Sequence, residues 1–115
     1  MSSFKDLIVW QKSITLCEKI YKITENFPVK EQFALTSQIR RCAVSIPSNI
    51  AEGQKRGPGK EFRQFLRIAY GSGAELETQL IIATKINYLS EKDFDKIIPL
   101  LIEVMKILNV MIQKV

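Results

Sequence analysis

The sequence predicts an all-α protein, an antiparallel up-and-down four-helix bundle that forms a single domain over residues 1–115. Three observations point there. Apolar side chains recur at spacings of three and four in four separate stretches, the period of a helix with one buried face. No stretch alternates apolar and polar residues as a half-buried strand does. The breaks between the stretches are short, which makes consecutive helices antiparallel neighbours. A chain of 115 residues also buries a sufficient core without a metal or a disulfide.

The first helix is expected from about Phe4 to Asn26. Ser3 is placed to cap it, with Asp6 three residues on. Leu7, Trp10, Ile14, Cys17 and Tyr21 form one stripe, and Val9, Leu16, Ile20 and Ile23 form a second beside it. Phe27-Pro28 ends the element, because a residue before proline avoids the α region. The second helix is expected from near Glu31 to Gly53, with Leu35, Ile39, Cys42, Ile46 and Ile50 inward. Pro47 inside it removes a backbone donor and is expected to kink or break it.

Gly53, Gly57, Pro58 and Gly59 mark a loop. The third helix follows from about Lys60 to Asn87, and Phe62, Leu66, Ala69, Gly73, Leu76, Leu80 and Ala83 share its inner face. Its interior Gly71-Ser72-Gly73 costs about 1 kcal/mol per glycine relative to alanine, so a close helix approach is expected there. Ser90-Glu91-Lys92-Asp93 reads as the cap of the fourth helix, which runs to about Lys114 with Pro99 near its start.

The fourth helix carries an unusually broad apolar surface. From Ile97 to Gln113 its only charged or amide side chains are Glu103, Lys106, Asn109 and Gln113, confined to about a third of the circumference. Such a helix is central in its own bundle or packs on another subunit as well; the second is the expectation. The run is too short and too often interrupted to span a membrane.

The composition argues against catalysis. There is no histidine, which removes Ser-His and Cys-His nucleophile pairs and the commonest transition-metal ligand. Cys17 and Cys42 lie on apolar stripes without metal-ligand spacing and read as reduced core residues. Gly53 to Lys60 imitates a phosphate loop. However, five residues separate Gly53 from Gly59 where four are needed, and Glu61 stands where a Mg²⁺-holding hydroxyl belongs. Glu75 and Glu77 point to different sides of a helix, and Glu52 and Asn49 join them only if the fold brings them together. No enzyme activity, cofactor or metal is expected. The N-terminal stretch from Met1 to Asp6 has no apolar leader, so a cytoplasmic location is expected.

The net charge of +5 is concentrated. Arg40, Arg41, Lys55, Arg56, Lys60, Arg63 and Arg67 face only Glu52 and Glu61 in their segment, and the rest of the chain is neutral overall. Lys60, Arg63 and Arg67 share a helical face, an arrangement suited to a phosphate backbone. These seven are the candidate nucleic-acid-binding residues. No aromatic-stacking platform accompanies them in the sequence, so base-specific single-strand readout is not expected. The alternative is a structural or adaptor oligomer whose partner is another protein.

The opening Phe4-Lys5-Asp6-Leu7-Ile8-Val9-Trp10-Gln11, the long run from Gln38 to Gly53 containing Ser45-Ile46-Pro47-Ser48-Asn49-Ile50-Ala51-Glu52-Gly53, and Ala69-Tyr70-Gly71-Ser72-Gly73-Ala74-Glu75-Leu76-Glu77 carry a resemblance. Together they are similar to the bacterial 23S rRNA intervening sequence proteins. That resemblance implies an up-and-down bundle assembled as a homopentamer, and a role near RNA. It also implies kinship with the accessory variability determinant of diversity-generating retroelements, a basic pentamer that binds nucleic acid and a reverse transcriptase. Arg40, Arg41 and Arg56 match positions typically basic in the family; Lys60, Arg63 and Arg67 are weaker matches, included on charge. The family pattern supplies no catalytic residue.

Overall fold

The computed structural model describes residues 3–115. Met1 and Ser2, part of the stretch read above for a leader, lie outside the described residues. Four helices follow the chain: α1 (Ile8–Thr24), α2 (Leu35–Lys55), α3 (Lys60–Lys85) and α4 (Glu91–Lys114). Each packs on its neighbour in sequence and α4 closes back onto α1, while the diagonal pairs α1–α3 and α2–α4 do not pack. This is the expected up-and-down bundle. It measures 42 × 24 × 20 Å, and its long dimension is about that of α3 alone, whose 26 residues span about 39 Å. No helix among the described residues is long and apolar enough to cross a membrane.

Leu16 and Ile20 from α1, Ile39, Ile46 and Ile50 from α2, Leu66, Leu76 and Leu80 from α3, and Leu101 and Leu108 from α4 are fully buried. The inner face expected of α3 is its buried set, residue for residue. In α1 the structure decides between the two stripes. Val9, Leu16 and Ile20 take the core, whereas Leu7, Trp10 and Cys17 lie at its flank and Tyr21 is exposed. Ser13 and Thr24 are buried with that inner stripe. Their hydroxyls donate to the Trp10 carbonyl at 2.7 Å and the Ile20 carbonyl at 2.8 Å, so neither is left unsatisfied inside.

Two helix starts differ from expectation. Ser3 does cap, accepting the Lys5 N–H at 3.1 Å, but it caps a single 3-10 turn over Phe4–Asp6. Leu7 is then extended, and α1 begins at Ile8. Another 3-10 turn, Val29–Glu31, precedes α2, which starts at Leu35. Glu31 acts from outside the helix, with its carboxylate accepting the Leu35 N–H at 3.2 Å and the Tyr88 hydroxyl at 3.0 Å. The end of α3 is a Schellman closure. Asn87 adopts φ 66°, and the N–H groups of Tyr88 and Asn87 donate to the carbonyls of Ala83 and Thr84. Ser90 caps α4 as expected, accepting the Asp93 N–H at 3.0 Å.

Pro47 neither breaks nor ends α2, contrary to one of its two expected effects. It has no N–H for the carbonyl of Ala43, four residues back. The Cys17 thiol of α1 donates to that carbonyl at 3.2 Å. The proline therefore becomes a polar tie between helices. Pro99 likewise lies in an unbroken α4, at an exposed position.

The expected close approach at the α3 glycines holds for one of them. A Cβ on Gly73 would run into the Met105 side chain of α4, whereas one on Gly71 would meet nothing within 4 Å. Gly53 is also closed in, since a Cβ there would lie 2.6 Å from Phe65 Cβ. The broad apolar surface of α4 is largely used within the subunit. Ile98, Leu100, Met105, Ile107, Met111 and Ile112 pack beside the core, while Ile102 and Val110 stay exposed.

Candidate nucleic-acid interface

The α2–α3 hairpin carries all seven candidate cations, because they lie between Arg40 and Arg67 in sequence. The structure divides them into two groups. Arg40 and Arg41 sit in the second turn of α2, and Lys55, Arg56, Lys60, Arg63 and Arg67 sit around the α2–α3 turn. The fifteen residues from Arg41 to Arg56 correspond to about 22 Å along the helix. One compact patch is therefore not formed, and the two groups lie toward opposite ends of α2.

Near the turn the cations differ in freedom. Arg56 reaches Glu52 and Glu61, each at 3.4 Å, and lies over the Phe65 ring. The Arg63 guanidinium donates to the Val115 carbonyl oxygen, which ties the start of α3 to the end of α4. Lys55 sits 6.0 Å from the centre of the Phe4 ring. Lys60 and Arg67 are exposed and have no carboxylate within ion-pair distance among the described residues.

At the other end, Arg40 is fixed and Arg41 has no carboxylate within ion-pair distance among the described residues. The Arg40 guanidinium donates to Thr24 Oγ1 at 2.8 Å and to the Tyr21 carbonyl at 3.2 Å, and stacks 4.6 Å from the Tyr21 ring centre. Both arginines line a hollow of about 470 Å³ with Tyr21, Phe33, Thr36 and Ser37. Phe33 is 90% exposed and Tyr21 is 44% exposed. The fold thus carries two aromatic rings to the first pair, neighbours that lie outside residues 40–67. The sequence held one signal for this. Phe33 is off the stripe of Leu35, Ile39, Cys42, Ile46 and Ile50, so it has no place in the core. Tyr21 comes from a different helix, which spacing alone does not reveal.

The groups considered for chemistry have other partners. Asn49 donates to the Ser45 carbonyl and hydroxyl at 2.8 and 2.9 Å, and Glu52 faces Arg56. Glu75 accepts from Gln79 at 3.4 Å. Ser45 and Ser72 share a hydrogen bond at 2.9 Å, a polar seam between α2 and α3. Gly53 lies inside α2, so the phosphate-loop look-alike begins within a helix. Both cysteines are free. Burial, with a smaller contribution from Glu18, pushes the Cys17 thiol up to about 11. Burial, followed by the charge and hydrogen bond of Glu75, pushes Cys42 up to about 12. Neither is a thiolate nucleophile at neutral pH.

Residues 5–110 match the family model described as 23S rRNA-intervening sequence protein. A crystal structure from Bacteroides thetaiotaomicron, described as a protein with unknown function from the S23 ribosomal protein family, is similar at 27% identity and a TM-score of 0.81. The similarity covers 91% of this chain and 98% of that one. No curated protein matches. The family model extends over nearly the whole bundle, including the Pro47 helix, the glycine-bearing α3 and the segment that holds every candidate cation, and the chain belongs to the 23S rRNA-intervening sequence protein family.

Proposed function

We propose that this chain is a non-enzymatic, homo-oligomeric protein of the cytoplasm that binds RNA or DNA phosphates with little sequence preference. The observation that carries this is the concentration of the whole net charge in residues 40–67 of the α2–α3 hairpin, with Arg41, Lys60 and Arg67 exposed and lacking carboxylate partners among the described residues. Cations arranged along one hairpin neutralise phosphates and release counterions, which requires no base contact. The family resemblance implies five subunits, and each copy would add another such hairpin at high local concentration.

The outer side of α3 supports the oligomer. Ile68, Ile82 and Ile86 are exposed there, with Gly71 between them in sequence. A glycine inside a helix is costly, and one with open space around it has no use within the subunit. A second copy packed against this side would use both the glycine and the isoleucines.

Filter binding of structured RNA and duplex DNA at low and at moderate salt tests the proposal. Retention at low salt that falls steeply as salt rises is expected. No retention at low salt would sink it. A partner recovered in a pull-down that survives nuclease treatment would instead favour an adaptor that binds a protein.

A further inference from the structure

We infer that the hollow at the start of α2 is a subsite for one unpaired nucleotide of a polynucleotide, with the base on Phe33 and the phosphate at Arg41, Arg40 and the first turn of α2. This rests on the nucleic-acid reading above and adds a preference to it, for single strands over duplexes.

Four features converge. Phe33 is almost fully in water, next to Tyr21, and every base offers a face to such a ring. Arg40 is held in place but uses only two of its five N–H donors internally, and Arg41 beside it has none engaged with a carboxylate among the described residues. The first turn of the 21-residue α2 is only partly capped. Ala34 offers no side-chain acceptor at the N-cap, and Glu31 answers the Leu35 N–H alone. The remaining N–H groups and the helix dipole favour an anion.

The fourth feature is Thr36. It is 7% exposed, and its hydroxyl is buried without a hydrogen-bond partner. A buried hydroxyl left unmatched is unfavourable, and this one belongs to a residue lining the hollow. An acceptor on a bound ligand would satisfy it once the side chain turns its buried oxygen out into the hollow. Thr36 and Arg40, like Ser37 and Arg41, are four apart and so lie one above the other on α2.

A planar ring and an anion side by side describe a nucleotide, and about 470 Å³ is within the range of small-ligand clefts, about 300–1,000 Å³. Glu25 does not line this hollow; it lines the adjacent one, which shares Gln32, Thr36 and Arg40 with it. A duplex conceals its base faces, so only an unpaired base reaches Phe33. Phe33 and the exposed Val29 are also apolar enough to suit a second copy of the chain. Charge decides against that, because a chain of net charge +5 is a poorer partner for two arginines than a polyanion is.

The test is fluorescence anisotropy with a short labelled oligouridylate and an RNA duplex of equal length, using the full chain. Phe33 is almost fully exposed and the Thr36 hydroxyl has no hydrogen-bond partner among the described residues, so Phe33→Ala and Thr36→Val are expected to fold. Phe33→Ala should weaken oligouridylate binding about tenfold, the size of one lost base stack, and leave duplex binding within about twofold. Phe33→Trp should restore it. Thr36→Val should weaken it about fivefold, the size of one lost hydrogen bond. If wild type binds but Phe33→Ala binds equally well, or loses both probes in equal measure, the subsite falls and general phosphate binding stands. A change of sedimentation mass in Phe33→Ala assigns this face to a second copy and overturns the subsite. If wild type binds neither probe, the nucleic-acid reading fails and takes the subsite with it.

Discussion

The inner and outer sides of α3 carry glycines of opposite meaning. Gly73 and Gly71 are two residues apart and so face nearly opposite directions. Gly73 is required by the folded chain, because Met105 occupies the space a Cβ would need. Gly71 is required by nothing in the folded chain. The inner side obeys the rules of a single bundle. The outer side leaves Ile68, Ile82 and Ile86 exposed beside that open glycine, and it is the side the proposed oligomer would use.

The largest effect should come from the inner seam. Gly53→Ala places a Cβ 2.6 Å from Phe65 Cβ, an atom fixed to the α3 backbone. The helices must separate, at about 3 kcal/mol, read as a lower urea midpoint. Gly73→Ala should cost less, about 1 kcal/mol net. Met105 is flexible and can swing aside, and alanine recovers about 1 kcal/mol of helix propensity. Adding Met105→Ala should relieve most of the clash, so a double-mutant cycle should show coupling. Additive effects would mean that the two side chains do not compete for that space.

The buried thiols give the inner region a signature in pH. Both are raised above the ordinary value of 9.0, so the folded chain keeps protons that the unfolded chain loses. Their contribution is complete below pH 9 and is lost as pH rises through about 11 and about 12. Between about pH 8 and about pH 10.5, wild type should lose more stability than Cys42→Ala, read as a larger fall in the urea midpoint. Equal losses would show that Cys42 ionises as freely in the fold as in the open chain.

The same contrast explains what was legible in the sequence. The inner face of α3 was readable residue by residue, because burial against one neighbour on each side imposes a single 3.6-residue stripe. The two stripes of α1 are nearly equal in apolar content, so spacing could not say which faces inward. The inward one includes Ser13 and Thr24, polar residues whose hydroxyls turn back onto their own helix. The role of Cys17 at the carbonyl freed by Pro47 depends on a contact between α1 and α2. The seven cations were visible as a charge count, but their division into two groups follows from the length of α2. Tyr21, Phe33 and Thr36 were missed because they come from different elements and meet only when α1 and α2 pack.

The smallest expected effect is the most informative about the outer side. Gly71→Ala introduces no clash within the subunit and removes the conformational freedom of glycine from the unfolded chain. In dilute solution, where subunits are separate, it should stabilise the fold by up to about 1 kcal/mol. At higher concentration the sign should reverse if a second copy packs closely at Gly71, because the added methyl then holds the two helices apart. Ile82→Glu provides the matching control. It lies on the exposed side, so subunit stability should change by no more than about 0.5 kcal/mol, while sedimentation equilibrium should show a lower mass. If Gly71→Ala stabilises at every concentration and Ile82→Glu leaves the mass unchanged, the outer side of α3 is plain solvent-facing helix. The oligomer would then need a different surface, with Ile102 and Val110 of α4 the remaining exposed apolar pair in the last helix.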